Sequence, residues 1–441
     1  MIISDLLDKK IAILWFGLEW KSSLNFLLKN HIDPSNLTIL DWNKLDNLPQ
    51  DIKHISWKDY LKDISQYDII LKTAWSSIYL NKELIPVRNK IITQMQLFFD
   101  NYKWKIIWIT ASKWKSTISS LLYQVIKDAW KDVKLVGNIW TPVLDEIDFK
   151  KQYDYVVCEI SSYMLEFLNK TNYISILWNI FPEHLDWHDG FQNYLKAKLK
   201  ILDGSKLNIV CQSTLDKYNW IPKQYTNIVS YWKSWTYWWS NWFFTKDWSP
   251  LFSTKDVKLL WDHNLENICA ILATIDQLSI DPLSAKQTID KFKWLAHRLE
   301  FVWTYNDINF YDDAISTTPE STIQAIKTLN DRIDTIFLWW TDRGYNFDEL
   351  AKYINQSNIR NIVLFAPSWK KIKESLKDNN KINFLETDDM ALAVEFAFQH
   401  TSKSKICLLS TASPSYSIRK NFEEKWNLFK QHIKEHSKAQ K

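Results

Sequence analysis

Glycine is almost missing. Five glycines stand among 441 residues, against an average usage of roughly 7%. Tight turns and phosphate-binding loops need left-handed backbone or close backbone approach, which glycine supplies at least cost. No low-complexity tract and no solenoid repeat is present. Cysteine is scarce too. Cys158, Cys211, Cys269 and Cys407 are scattered without C-x-x-C spacing, each in or beside an apolar segment. Buried free thiols and a reducing compartment are expected. An excess of one charge is also lacking: 55 Lys+Arg face 51 Asp+Glu, a net charge of +4. That balance gives no electrostatic case for nucleic acid or an anionic membrane as partner. No apolar run approaches the roughly 20 residues of a transmembrane helix. Met1 to Lys10 alternate apolar and charged side chains, unlike a signal peptide. The expectation is a cytoplasmic chain without membrane insertion.

What is abundant is tryptophan, with 26 residues. Tryptophan and glycine together come close to the roughly 7% expected of glycine alone. We hypothesise that UGA codons meaning glycine stand in this sequence as tryptophan. The alternative is a genuinely tryptophan-rich protein, with indoles at turn after turn.

The length suits two or three domains. Buried strands are predicted at Lys10–Phe16, Leu37–Leu40, Asp68–Leu71 and Lys90–Ile92, with a helix over Lys21–Asn30. A second unit opens near Lys103, with strands at Lys105–Ile109, Tyr155–Cys158, Ile174–Leu177 and Leu207–Cys211 and helices at Ser116–Lys127 and Asn264–Ile275. Tyr231–Leu260 reads as short strands and turns. The last unit has strands at Thr335–Leu338, Ile362–Phe365 and Ile406–Leu409. Strand and helix alternate with short links, which predicts an α/β protein of parallel sheets. The expected division is a Rossmann-like domain over 1–97, a central P-loop ATPase domain over 98–296 with a mainly parallel sheet, and a Rossmann-like domain over 297–441.

The strand KIIWI runs into Thr110-Ala111-Ser112-Lys113-Trp114-Lys115-Ser116-Thr117. With glycine at 114 this ends in G-K-S-T between a buried strand and a helix, the context in which a P-loop is credible. Helix N-terminal amides would cradle phosphates, Lys115 would reach the terminal phosphates, and the Ser116 hydroxyl would bind magnesium. The first glycine of the generic motif is not at its usual spacing. An indole at 114 would crowd the β-phosphate. Near the N-terminus, Trp15-Phe16-Gly17-Leu18-Glu19-Trp20 becomes G-x-G-x-x-G after recoding, and Asp41 ends a strand about 20 residues on. Alone, this suggests a dinucleotide-binding oxidoreductase, a reading that predicts no P-loop. A tryptophan-rich glycan-binding module is a third reading. It would place indoles on exposed strand faces, and only Tyr231–Trp242 could be read so.

Several segments resemble the Mur ligase family, in family order over most of the chain. The loop from Trp108 to Thr117 is similar to G-[IV]-T-G-[TS]-N-G-K-[ST]-T, with Ala111 and Lys113 departing from Gly and Asn. Gly137-Asn138-Ile139-Trp140-Thr141-Pro142, Glu159-Ile160-Ser161-Ser162-Tyr163-Met164-Leu165-Glu166 and Asn179-Ile180-Phe181-Pro182-Glu183-His184-Leu185-Asp186-Trp187-His188 resemble the next three motifs. Tyr194-Leu195-Lys196-Ala197-Lys198 resembles the Y-x-x-A-K of the carbamylated lysine, and Trp261–Asn267 and Trp294–Glu300 resemble G-x-H-N-x-x-N and G-L-x-H-R-x-E. Trp108, Trp114, Trp140, Trp261 and Trp294 fall on family glycines, whereas Trp187 falls where the family varies. Leu408–Tyr416 and Phe422–Phe429 resemble segments of the branch that adds D-glutamate, with Thr411 for Pro and Lys425 for Arg. Asp313–Glu320 and Trp339–Arg343 fit that branch, with Arg343 where Lys is usual, and no D-N-P-R segment is present.

The resemblance implies an ATP-dependent ligase that adds D-glutamate to UDP-N-acetylmuramoyl-L-alanine through an acyl phosphate, in peptidoglycan precursor synthesis, as a monomer. A sibling Mur ligase or a folylpolyglutamate synthase-like ligase for another amino acid is the alternative. By resemblance, Ser112 to Thr117 hold ATP phosphates, and Asn264, Asn267, Arg298 and Asp313 hold adenine and ribose. Ser116, Glu159 and His184 hold Mg2+, and Lys198 carries a carbamate that orients a second metal. Lys115, His184 and Lys198 are the implied catalytic residues. Trp15, Phe16, Gly17, Asp41 and Asn138 meet the UDP substrate; Thr317, Arg343, Ser415 and Phe422 surround D-glutamate. Residue by residue, plainer readings exist. Lys198 alone would be a surface lysine, His184 a structural histidine, and the asparagines helix caps or turn residues. Glu159 differs: it ends an apolar strand, where an unpaired acid is costly, which favours a role. Peptide mass spectrometry of the native protein across position 114 should find glycine; tryptophan there would end the recoding hypothesis.

Overall fold

The computed structural model describes the chain outside residues 1, 15–17, 44–50, 75, 103, 138–141, 170–171, 233–235, 241, 256, 258–261, 293–298, 315, 317–318, 340–346, 366–375, 377–380, 414–421 and 440–441. The chain divides into two units, Met1–Phe292 and Lys293–Lys441. In the first, β1 (Ile11–Leu14), β2 (Leu37–Asp41), β3 (Lys53–Ser56), β4 (Ile69–Lys72) and β5 (Ile91–Thr93) pair in the order β3-β2-β1-β4-β5. Every pairing is parallel. The strands IAIL and LTILD are buried throughout, as parallel strands covered on both faces must be.

A second parallel sheet in the same unit holds β6 (Ile106–Thr110), β7 (Val133–Gly137), β8 (Tyr155–Glu159), β9 (Ile174–Leu177), β10 (Leu207–Cys211) and β11 (Ile228–Tyr231), in the order β11-β10-β9-β6-β8-β7. The helix Lys115–Asp128 follows β6 and buries Ile118, Leu121, Leu122, Val125 and Ile126. That spacing is one face of a 3.6-residue period. The segment after β11 forms an antiparallel meander of β12 (Tyr237–Ser240), β13 (Phe243–Lys246) and β14 (Ser249–Ser253). The second unit holds β15 (Glu300–Tyr305), β16 (Ile308–Asp313), β17 (Ile333–Trp339), β18 (Asn361–Phe365), β19 (Asn383–Glu386) and β20 (Ile406–Ser410), in the order β15-β16-β20-β17-β18-β19. Only β15 runs antiparallel to its neighbour. The fold is α/β with three mainly parallel sheets. All four cysteines are buried free thiols, as their settings imply.

Among the described residues, six tryptophans sit where backbone geometry favours glycine. Trp57, Trp114, Trp130, Trp232, Trp242 and Trp248 have φ between 60° and 79°. For a bulky L-residue this region is an outlier, because Cβ meets the following carbonyl. Trp130 follows the helix Lys115–Asp128 and its cap Ala129, with φ 60°. The Trp130 amide donates to Lys127 O at 3.0 Å and the Lys131 amide to Ile126 O at 3.3 Å. Those two bonds are the Schellman closure, whose left-handed position is normally glycine. Between β13 and β14, Asp247 (φ 48°) and Trp248 (φ 67°) form a two-residue turn. Two left-handed residues in a hairpin call for Asp-Gly. Trp130 is 95% exposed, so no packing compensates its strain. Trp187 behaves oppositely: it is buried and packs on Tyr163 with ring centroids 4.5 Å apart. Trp130→Gly and Trp248→Gly should each raise the unfolding free energy by about 1 kcal/mol in denaturant titrations. Trp187→Gly should lower it by about 3 kcal/mol or more. Destabilisation by all three would remove the strain argument.

Candidate active site

β6 lies between β9 and β8, and the C-terminal ends of these three strands carry the site. The loop after β6 is clamped by the segment after β9. Ser112 N donates to Asn179 O at 2.8 Å and Lys113 N to Asn179 Oδ1 at 3.0 Å. The Ser112 hydroxyl donates to Phe181 O at 3.2 Å and shares a 2.5 Å hydrogen bond with the Tyr194 hydroxyl. Trp114, at φ 71° and ψ 9°, then turns the chain into the helix Lys115–Asp128. The turn therefore presents the first helical amides and the positive end of the dipole to the strand end.

Three lysines converge on this loop. Lys115 Nζ donates to Ala111 O at 3.1 Å and Ser112 O at 3.3 Å. Lys198, buried on the helix Phe191–Leu199, donates to Ala111 O at 2.6 Å and Thr110 Oγ1 at 3.0 Å. Lys113 pairs with Glu183 at 2.7 Å. Burial, and next the charge of Lys115, push the Lys198 ammonium well below its ordinary range. Burial would raise Glu183, but Lys113, His184 and Lys115 outweigh it and hold the carboxyl at about 2. His184, held down to about 4 chiefly by burial, is a neutral imidazole at pH 7. Partly buried lysines beside a helix N-terminus suit an anion such as a polyphosphate.

Glu159 ends β8 with 1% exposure, opposite Ile109 of β6. Ser119 Oγ lies 3.4 Å from Glu159 Oε2 and donates to Ser116 O at 3.2 Å, linking the acid to the first turn of the helix. Gly137 (φ 111°) lies beside it; a Cβ there would fall 2.1 Å from Glu159 O, so only glycine fits. The hydroxyl of Ser116 and the carboxylate of Glu159 are oxygen donors that suit a hard divalent cation, whereas the His184 imidazole is a softer ligand. Lys198 as an ammonium is no ligand and would become one only as an anionic carbamate. Among the described residues no group of three or more His, Cys, Asp or Glu could hold a metal. The expected set contains just two such side chains.

Residues 109–275 match the family described as Mur ligase middle domain. UDP-N-acetylmuramoylalanine--D-glutamate ligase of Ruminiclostridium cellulolyticum is 25% identical over 97% of both chains. The enzyme of that name from Francisella philomiragia is 29% identical, again over 97% of both. Residues 109–275 therefore carry a Mur ligase middle domain, within a chain similar over nearly its whole length to ligases of that name. Its fold is shared with the MurC ligase of Thermotoga maritima (TM-score 0.61, 16% identity, 98% of this chain and 100% of that one). MurF of Thermotoga maritima, solved with ADP, gives a TM-score of 0.59 at 16% identity over 98% and 97%.

The remaining expected site residues are distributed as follows. Asn264 and Asn267 are fully buried on the helix Asp262–Gln277, Asn267 Nδ2 donating to Asn264 Oδ1 at 3.2 Å. The Asn267 amide oxygen has no partner among the described residues. Asp41, buried at the end of β2, accepts from Asn43 N at 2.7 Å. In the second unit Asp313 ends β16, bonded by Ser410 Oγ at 2.8 Å and Leu299 N at 3.3 Å, and burial raises its carboxyl to about 7. Trp15, Phe16, Gly17, Asn138, Arg298, Thr317, Arg343 and Ser415 lie outside the described residues, as does the Phe422 side chain. Asn179, Glu183 and Tyr194 were quoted within motifs but given no role, although they fix the phosphate loop. Their presence inside those motifs was the signal. No helix among the described residues is long and apolar enough to cross a membrane.

Lys113→Met should strand the buried Glu183 charge and destabilise the protein by about 3 kcal/mol. Lys113→Met with Glu183→Gln should recover most of that loss in the same urea titration. Additive losses would show that the pair is not coupled.

Proposed function

We propose that this chain is the Mur ligase that joins D-glutamate to UDP-N-acetylmuramoyl-L-alanine with ATP. The observation that carries the reading is the convergence of Lys113, Lys115 and Lys198 on the loop at the end of β6, beside the buried Glu159. The substrate carboxylate attacks the γ-phosphorus of ATP, ADP leaves, and an acyl phosphate results. The D-glutamate amine then attacks the acyl carbon, phosphate leaves, and the amine's proton is lost to solvent or a base. Both reactants of the first step are anions, so fixed cations lower the barrier. Lys115 and the first amides of the helix Lys115–Asp128 orient the phosphates. Mg2+, held by Ser116, Glu159 and His184, supplies further charge neutralisation.

Lys198 is suited to carbamylation, since CO2 reacts with a neutral amine and burial disfavours the ammonium. By resemblance to the family, Asn264, Asn267, Arg298 and Asp313 hold adenine and ribose. Asp41, Asn138 and the loop of Trp15, Phe16 and Gly17 take the UDP substrate. Thr317, Arg343, Ser415 and Phe422 take D-glutamate. The domains of this reading are 1–97, 98–296 and 297–441, acting as a cytoplasmic monomer. We further propose that position 114 is glycine in the working enzyme. Its φ of 71° suits glycine, and an indole there would meet the β-phosphate.

The test is phosphate release by the chain with glycine at the recoded positions, given ATP, Mg2+ and UDP-N-acetylmuramoyl-L-alanine. Release should require D-glutamate and should stop when glycine 114 is returned to tryptophan. Release with another amino acid only would move the chain to a sibling ligase; no release with any would overturn the proposal.

A further inference from the structure

Glu166 is buried, with 4% exposure, in the turn after the short helix Ser162–Leu165 that follows Glu159. Its carboxylate accepts from Arg88 at 2.5 Å and from the Tyr79 hydroxyl at 3.2 Å. Both partners come from the part of the chain that forms the first sheet. The other oxygen faces His188 Nδ1 at 3.6 Å. His188, fully buried, reaches the Ser162 hydroxyl with Nε2 at 3.0 Å. Lys200 Nζ donates to the Glu166 carbonyl at 2.7 Å. The Arg88 guanidinium also covers the neighbouring Phe167 ring, 5.0 Å from its centroid.

His188, Lys200 and Glu166 itself each stand close in sequence to a residue of the active site. His188 closes the one-turn helix that His184 opens. Lys200 follows Lys198 in the turn that ends the helix Phe191–Leu199. Glu166 itself follows Glu159. One carboxylate and its backbone thus tie together the three segments that carry Glu159, His184 and Lys198, and fasten them to Arg88 and Tyr79. The Arg88 side chain is 42% exposed, and an ion pair with one exposed partner adds little to stability. A network of this kind is better explained by what it aligns.

We propose that Glu166 is a positioning residue for the ligation reaction, a hub that sets the mutual placement of Glu159, His184 and Lys198 and locks it to the Arg88 segment. This rests on the function proposed above, and nothing in it requires Glu166 to touch substrate or metal. Burial opposes the charge on Glu166, but His188 and Arg88 hold its carboxyl at about 2, so the hub is ionised at neutral pH.

The test compares Glu166→Gln, Glu166→Asp and Arg88→Ala in the full chain that shows D-glutamate-dependent phosphate release. Glu166→Gln should raise the half-saturating Mg2+ concentration about tenfold, as loss of an outer partner does, and leave KM for ATP within about twofold. Glu166→Asp should recover part of the loss, and Arg88→Ala should shift Mg2+ dependence the same way. Hydrogen exchange should rise together in residues 184–190 and 198–202, with the helix Lys115–Asp128 unchanged. Unchanged Mg2+ dependence, or faster exchange confined to 162–167, would overturn the hub. A parent chain without phosphate release would overturn the proposed function instead, and the exchange pattern, which needs no turnover, would then decide the hub alone.

Discussion

The arrangement depends on a concentration of positive charge at the end of β6. Lys115 and Lys198 both donate to Ala111 O, and Lys113 lies within the same short loop. Such a group is stable only if something negative shares the cavity or if some of the charge is given up. Glu183 supplies a permanent counter-charge to Lys113, and burial moves Lys198 toward the free amine. Lys115 and the helix dipole face the loop, and Lys115 shares the field of the same Glu183. A polyanionic ligand would add negative charge at this point, so the electrostatics favour the proposed phosphate site alongside the motif.

The clamp around the loop serves the same constraint. The two lysine amines that share Ala111 O keep their places only while the loop carbonyls that accept from them stay fixed. The loop is pinned through Asn179 on one side and Tyr194 on the other, and the strand beneath is held in parallel register by β8 and β9. Rigidity here has an energetic purpose: fixed charges need not reorganise when a phosphate develops negative charge.

The parts legible in the sequence were those governed by local pattern. β1, β6, β8, β9, β10, β17, β18 and β20 are runs of apolar residues, and each was anticipated to within a residue or two at most ends. β3 (KHIS), β7 (VKLVG) and β19 (NFLE) escaped because edge strands are half-exposed and carry no continuous apolar run. β15 and β16 join through Asn306 and Asp307, both at positive φ, a hairpin signal present in the sequence and not used. The loop after β6 and the acid Glu159 that ends β8 were legible as motifs. The pairs that organise them were not. Lys113 meets Glu183 across 70 residues and Arg88 meets Glu166 across 78, and no local periodicity encodes a contact at that range.

The tryptophans separate local from tertiary information most sharply. A residue type scattered by chance through a chain would show no preference for left-handed backbone. Here six tryptophans occupy it, as many as asparagine and aspartate together, the two types with a local reason to tolerate it. Some tryptophans elsewhere pack acceptably: Trp339 stacks on Phe365 at 3.5 Å, and Trp108 lies against Phe99 at 4.6 Å. Even so, the Trp108 indole N–H is buried without a partner among the described residues. Packing can absorb a large side chain on a strand, where Cβ points into space that neighbours can line. No packing can relieve a positive φ, because the conflict lies within the residue's own backbone. The turns at 114, 130 and 248 therefore carry a backbone geometry that favours glycine over tryptophan, and the first of them lies in the loop proposed to meet a phosphate.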